Sequence, residues 1–421
     1  MFPAPPLPAK EASAEPPHGR RRAEGVVDTE LIALAPRACP SCNGALRALP
    51  PSTADHFDYV PGYFRRVRVV RPRGACTCCD TMTIADAPGV QALERSIVGN
   101  RLASHIIVEK FVDNSPLNRQ VARMGRLGLK IGLQTRCNVV TGVAGLVRPL
   151  VRAMKNELLA ADWAQADAAG MPFLNGTPGE SGEGRLWVYI GGGHVLYDFT
   201  STKHGHNPAR FLQGFKGALL ADGGSEFNAL IRQEGILRAG CWAHALRKLQ
   251  AAIDDDPSLV GHLLGLVGRL FKIEEEIETS SAEERLLTRN RCSAPVLIET
   301  REILTPVALS VRPRSPLGEA TQYILNQWAP LTAFLKHAGL PIHNNFSELS
   351  LRTPVIGRKN WLFAGSEGGA RAAADLLSIL GSARLHRLDP EPTLTERLHR
   401  LPSWPIHKKV PVSQLCEEFD L

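Results

Sequence analysis

The sequence predicts a multidomain α/β protein, and three observations carry that reading. Two Cys-x-x-Cys pairs bracket strand-like runs before residue 80. A basic helical stretch covers 96–155. After residue 160 come three strand-like runs, a helix and a fourth strand, the order of a ribonuclease-H-like sheet. The 421 residues exceed one compact core and divide into a few domains at about 150 residues each. A composition that is 44% hydrophobic and 22% charged lets most of the chain bury cores and excludes global disorder. No run approaches the ~20 apolar residues of a membrane span. The opening MFPAPPLPAKEASAEPP also lacks the apolar centre of a secretory signal, so a cytoplasmic location is expected.

Residues 1–36 are expected to be a disordered tail. They are rich in Pro, Ala and Glu, carry Gly19-Arg20-Arg21-Arg22, and show no apolar period from which a core could grow. Residues 37–82 read as a zinc ribbon: Cys39 and Cys42, strand-like runs over Phe57–Val60 and Tyr63–Val70, then Cys76 and Cys79. Thiolates two residues apart close on one tetrahedral ion while the hairpin separates the pairs, so these four are the expected Zn²⁺ ligands. Cys78 is a rival to Cys76, and the spacing between the pairs is longer than a ribbon usually has. Nine cysteines without a signal sequence otherwise argue for metal binding or burial over disulfides.

The net charge is +7, and it is concentrated. Residues 101–160 hold ten Lys or Arg against Glu109, Asp113 and Glu157, and 61–75 add five arginines with no acid. That third of the chain is expected to face a polyanion, DNA or RNA, with a solvated basic face as the bland alternative. Within 96–155, Ile106, Ile107 and Phe111 share one helical face, and Ser115-Pro116 reads as the start of a second helix through Leu117, Val121 and Met124. Gly125 and Gly128 end it, and Thr135–Leu150 forms the next. The pair resembles a helix-turn-helix, although an ordinary helical hairpin explains the pattern as well, since Gly142 and Gly145 weaken the second helix. Arg119, Arg123, Arg126, Lys130 and Arg136 are the candidate DNA contacts there.

Residues 160–395 are the expected catalytic domain. Strands are predicted over Trp163–Asp167, Leu186–Ile190 and Val195–Thr200, the last two joined by Gly191-Gly-Gly193. A helix near Pro208–Phe215 follows, then the apolar run Ala218–Ala221. Leu259, Leu263, Leu266, Leu270 and Ile273 keep a helical period, so 258–337 reads as a helical insertion. Residues 396–421 are expected to be a C-terminal tail. Asp167 ends the first strand, Asp222 the fourth, and Glu348 lies on a helix expected to begin near Ile342. Neighbouring strands and a crossing helix would bring the three acids together, an oxygen-only set suited to two Mg²⁺ or Mn²⁺ ions about 3.5–4 Å apart at a phosphodiester. Taken alone, Asp222 before Gly-Gly is also an ordinary turn residue, and Asp162 is a rival first carboxylate.

Five words in order narrow the choice: Gly184-Arg-Leu-Trp-Val-Tyr189; Leu220-Ala-Asp222-Gly; Gly240-Cys-Trp-Ala-His-Ala245 with Arg247-Lys248; His343-Asn-Asn345 with Glu348; and Gly357-Arg-Lys-Asn-Trp-Leu-Phe-Ala-Gly365. Together they resemble the transposases of the insertion-sequence sixty-six family over roughly residues 37–395. The resemblance implies a DNA transposase of the Asp-Asp-Glu class, with Asp167, Asp222 and Glu348 as catalytic metal ligands and DNA, both element ends and target, as partner. It further implies water activated to free a 3′ hydroxyl that then attacks target DNA, a homo-oligomer on DNA, and accessory proteins of the same element as possible partners.

Arg352, one turn after Glu348, can hold a phosphate or simply pair with that acid; Arg358 and Lys359 are further backbone contacts or a solvated basic loop. Cys241-x-x-His244 has metal spacing but no second pair, so a buried Cys and a near-site His244 are preferred; Trp242 and Trp361 read as core. Two departures from the family bear on activity. Ala168-Ala169-Gly170 stands where an acid and Thr-Pro usually follow the first Asp, and His343 stands where an Asp usually precedes the Asn pair. Loss of such supporting groups weakens metal binding or activity by about 10–100-fold. The heptad-like segment that the family tends to carry ahead of the cysteines is replaced by the Pro-rich tail. The alternatives are therefore a decayed copy that only binds DNA, and, more distantly, a zinc-dependent transcription factor.

Overall fold

The computed structural model describes residues 62–70, 73–75, 77–79, 82–84, 91–177, 180–222, 224–227, 230 and 235–403. The expected N-terminal tail, Cys39, Cys42, Cys76, the run Phe57–Val60 and residues 404–421 lie outside them. The described residues from Arg66 onward fall in one compact unit. Among the described residues no helix is long and apolar enough to cross a membrane.

The chain first forms a short antiparallel hairpin, β1 (Arg73–Ala75) and β2 (Met82–Ile84). The strand expected over Tyr63–Val70 is absent: the stretch has no regular secondary structure, with Tyr63 88% and Val70 79% exposed. Strand propensity reflects packing on a half-buried surface, and among the described residues most of these side chains are exposed.

Three helices follow: α1 (Asn100–Phe111), α2 (Leu117–Arg126) and α3 (Leu133–Ala160). Gly128, at φ +90°, closes α2, and the amide of Leu129 returns to the carbonyl of Met124. Helix α3 runs ten residues past the expected Leu150, 28 residues or about 42 Å in all. It keeps one buried face throughout, with Val139, Val143, Val147, Leu150, Met154 and Leu158 inward, and packs on the sheet and on the later helix Glu367–Leu385. The expected helical region thus packs against the sheet, because that long apolar stripe needs cover along its length.

The sheet opens with β3 (Trp163–Leu174), β4 (Ser181–Gly191) and β5 (His194–Thr200) as an antiparallel meander. The β4–β5 turn places Gly192 and Gly193 at φ +59° and +81°, the backbone a tight hairpin demands and glycine supplies. After α4 (His206–Phe211), β6 (Ala218–Ala221) lies parallel to β3, and β7 (Leu237–Ala239) parallel to β6, giving the order β5-β4-β3-β6-β7. Gly217 lets β6 close on β3: an added Cβ would meet the Asp162 carbonyl at 2.4 Å, and that carbonyl accepts the Ala218 amide. Strands β3 and β4 are longer than their apolar runs because they pair with each other out to Leu174 and Ser181. Leu186 through Ile190 are all buried, as expected where both faces of a sheet are covered.

Helix α5 (Trp242–Ala251) leads into the expected insertion: α6 (Pro257–Glu276), α7 (Ala282–Thr288), α8 (Ala294–Ser310), α9 (Pro316–Asn326) and α10 (Trp328–Thr332). Asp256 caps α6 with Pro257 in its first turn. Leu263, Leu266 and Leu270 join one core with Trp242, Ala218 and Leu220, so the insertion is fused to the edge of the sheet. Buried Arg289 pairs with Glu274 and donates to the carbonyls of Phe334, His337 and Leu340, fixing the stretch that leads into α11 (Asn345–Trp361). Helix α12 (Glu367–Leu385) covers β5, its Ser378 and Ser382 hydroxyls accepting the Tyr197 and Val195 amides. Helix α13 (Pro390–Arg400) falls partly where a tail was expected; Leu394 and Leu398, one turn apart, are buried against the body.

Candidate active site

Asp167 is the fifth residue of β3, well inside the strand, and stands opposite Val188 of β4. Opposed residues of an antiparallel pair share a face, and Val188 in turn opposes Tyr197, whose hydroxyl donates to the Ser350 carbonyl of α11. Asp167 therefore faces α11. The last parallel pair between β3 and β6 is Ala166 with Ala221, so Asp167 and Asp222 each follow it by one residue on neighbouring strands. Asp222 Oδ1 accepts the Gly224 amide at 3.1 Å, the turn-residue bond, which leaves its other oxygen for the site. Asp162 is exposed at the far end of β3 and does not join the cluster.

Glu348 arrives on the first turn of α11, and α11 is fastened to β3 by buried polar side chains. Gln165 donates to the His343 carbonyl at 3.2 Å and accepts the Ser347 amide at 3.3 Å. Asn344 donates to the Ala166 carbonyl at 3.2 Å, accepts the Ser347 hydroxyl at 2.5 Å, and its amide lies 3.3 Å from Cys241 Sγ. Cys241 is fully buried at the start of α5, as expected of a packed thiol. The helix begins three residues later than expected because Asn344, in place of Ile342, makes the turn out of the insertion.

The electrostatics couple the three acids. Burial pushes the Asp167 carboxyl up to about 6, and the negative charges of Asp222 and Glu348 push the same way against the Ala168 amide and Arg185. Arg185 is itself tied to Glu226 at 2.5 Å. Glu348 is turned to a cation: Arg247 Nη2 lies 2.6 and 2.7 Å from its two oxygens, and His244 Nε2 lies 3.6 Å from Oε1. Burial, then the Arg247 charge, lowers the His244 pKa and keeps the ring neutral near pH 7. Among the described residues no three His, Cys, Asp or Glu side chains are gathered to hold a metal ion. The donors suit a hard divalent cation in kind, all oxygen and short of positive charge at Asp167, but Glu348 would have to leave Arg247 to join them.

Other expected residues divide. Arg352 is exposed and does not pair with Glu348, whose partner is Arg247. Lys359 is exposed, whereas Arg358 donates to the Gly170 carbonyl and ties α11 to β3. Arg119, Arg126 and Lys130 are exposed on and after α2, and Arg123 pairs with Glu109. Arg136 corrects the expectation for it: it is fully buried, Nη1 3.0 Å from Met124 Sδ, and does not reach the surface. Trp242 is core, donating to the Leu331 carbonyl, while Trp361 is half-buried under Lys110. Cys79 and Cys78 lie exposed on the turn between β1 and β2. Arg247, Gln165 and Asn344 had been assigned no role. Arg247 had one available signal, its place three residues after His244 on the same helical face.

Comparison with known proteins follows the same path. The profile described as "Transposase IS66 family" matches residues 95–372, and that of the "zinc-finger binding domain of transposase IS66" matches 36–80. Three proteins of Sinorhizobium fredii (strain NBRC 101917 / NGR234) are similar over most of the chain. "Uncharacterized protein y4hP" is 29% identical over 408 residues, 90% of this chain and 73% of its own length. "Uncharacterized protein y4jD" is 29% identical over 392 residues, 89% and 76%. "Uncharacterized protein y4qI" is 28% identical over 411 residues, 91% and 73%.

Proposed function

This chain belongs to the transposase IS66 family, and from that premise we propose that it cuts and rejoins DNA at the ends of a mobile element through Asp167, Asp222 and Glu348. The observation that carries this is the side-by-side placement of Asp167 and Asp222 after one parallel strand pair, with the Glu348 charge felt at Asp167. The strand order β5-β4-β3-β6-β7, three antiparallel strands extended by two parallel ones, supports a ribonuclease-H-like domain. Asp167 and Asp222, joined by Glu348 once it turns from Arg247, would hold Mg²⁺ or Mn²⁺. Such ions, when bound, supply the charge that activates an attacking oxygen and stabilises a leaving one. Gln165 and Asn344 hold α11, and so Glu348, against β3. Arg247 is the cation that holds Glu348, and it would be free to take a phosphate when Glu348 is otherwise engaged. Cys39, Cys42, Cys76 and Cys79 would hold structural zinc, and Arg119, Arg126, Lys130, Arg352 and Lys359 offer charge to the DNA backbone.

The test is strand nicking and joining by the purified chain with Mn²⁺ or Mg²⁺ on DNA carrying the element's ends. Asp167→Asn, Asp222→Asn and Glu348→Gln are each expected to lose more than about 100-fold, beyond the loss seen when only a ligand's supporting group is removed. Wild-type rates in any one of the three would overturn its assignment. A second reading, a copy that binds DNA without cutting it, is favoured by Ala168-Ala169-Gly170 beside Asp167 and by the Arg247–Glu348 pair. It expects DNA binding with no nicking by the wild type.

A further inference from the structure

The outer side of α11 is not an ordinary solvent face. At about 100° per residue, Leu349, Arg352, Ile356 and Lys359 form one ridge opposite the buried Ser347, Leu351 and Pro354, with Phe346 at its edge. Phe346 is 52%, Leu349 61% and Ile356 46% exposed. A helix that meets only water carries polar residues in these places. Glu348 is the only acid in α11 and Arg247 holds its carboxylate, so the charge left on the ridge is positive. Phe346 also ends a file of rings: Phe271 lies 6.0 Å from His343 at 17°, and His343 6.0 Å from Phe346 at 40°. The outermost ring is the open one.

We propose that this ridge holds an unpaired DNA strand end, with a base against Phe346 and Leu349 and its phosphates on Arg352 and Lys359, beside Glu348. The proposal rests on the strand-cutting reading of the three acids and names the form of DNA they receive. Paired DNA hides its base faces in the stack and offers a helix only polar base edges and phosphates, which would set Leu349 and Ile356 largely against hydrated groups. A splayed strand offers both an apolar base face and a phosphate, the combination that aromatic and cationic side chains bind in single strands. A second copy of this chain laid on the ridge would bury Arg352 and Lys359 and would have to bring acids to meet them.

The experiment uses the full chain in chelator, so that cutting plays no part: binding to a blunt duplex is compared with binding to the same duplex whose last pairs are mismatched. The wild type is expected to bind the splayed duplex about tenfold tighter, the order of one base stacked on an aromatic surface. Phe346→Ser with Leu349→Ser should remove that preference and keep blunt-duplex binding, whereas Arg352→Ala with Lys359→Ala should weaken both and flatten the salt dependence. Should the serine pair unfold, as read by circular dichroism, Phe346→Trp takes its place and should widen the preference. Equal wild-type affinity for the two duplexes, or a preference that survives loss of Phe346 and Leu349, overturns the proposal. So does a wild-type dimer that falls apart in the serine pair without any splayed-end preference. Absence of cutting in Mn²⁺ with the preference intact would count against the strand-cutting reading alone.

Discussion

Arg247→Ala tests how the third acid is kept. In the wild type one guanidinium nitrogen straddles both oxygens of Glu348 at 2.6 and 2.7 Å, but Arg247 is 50% and Glu348 31% exposed. Water screens a pair this open, so it is worth roughly 1 kcal/mol or less, and the substitution should leave folding nearly unchanged. A divalent ion needs the same oxygens and must first displace the guanidinium. Removing that competitor should therefore tighten Mn²⁺ binding by up to about fivefold, the equivalent of roughly 1 kcal/mol. Strand cutting should move the other way, because the variant has lost the cation best placed for a phosphate. The assay is a calorimetric Mn²⁺ titration of wild type, Arg247→Ala, Glu348→Gln and the double variant. The gain should appear with Glu348 present and vanish in the Glu348→Gln background, as a pairwise interaction requires. Weaker or unchanged Mn²⁺ binding by a folded Arg247→Ala would refute the reasoning and make Arg247 a prop for Glu348 instead of its competitor.

Three further outcomes are expected. The Asp167 carboxyl, held up at about 6 against an ordinary 3.8, binds its proton more tightly in the folded chain than in the unfolded one, so stability falls as pH rises through that window. Asp167→Asn, melted in chelator, should then gain roughly 2–3 kcal/mol at pH 7 and nothing near pH 3.8, and an equal gain at both would sink the idea. Asn344→Ala removes the side-chain donor to the Ala166 carbonyl, while the Ser347 hydroxyl keeps the backbone carbonyl of residue 344; the loss should cost about 1–3 kcal/mol and speed amide exchange in the first turn of α11, and unchanged exchange there would show that the helix is held by other means. Cys79→Ser should lower the zinc that copurifies with the full chain, measured by elemental mass spectrometry, and zinc content equal to wild type would remove Cys79 from the ligand set.

What could be read from residues alone follows the range of the interactions involved. Asp222 was legible because the apolar run Ala218–Ala221 states where it stops, and the insertion because Leu263, Leu266 and Leu270 repeat at helical spacing; Asp167 does not end its strand as expected, since β3 continues to Leu174 through pairing with β4. The burial of Arg136 also has a signal in the sequence: it stands three, four and seven residues before Val139, Val140 and Val143, on the stripe that α3 buries, although its charge points to the surface. Leu394 and Leu398 likewise announced a packed helix, which runs on to Arg400 inside the expected tail. The Arg247–Glu348 contact and the Gln165–Ser347 clasp offered no comparable period, because each joins residues more than a hundred positions apart. Yet those contacts decide what the acids can do. Strand pairing alone sets Asp167 beside Asp222, whereas the position of Glu348 depends on a clasp below it and a cation above it. On the proposed metal role, the same sequence words can accompany a working site or an idle one, and the difference would lie in whether Glu348 exchanges its guanidinium for an ion.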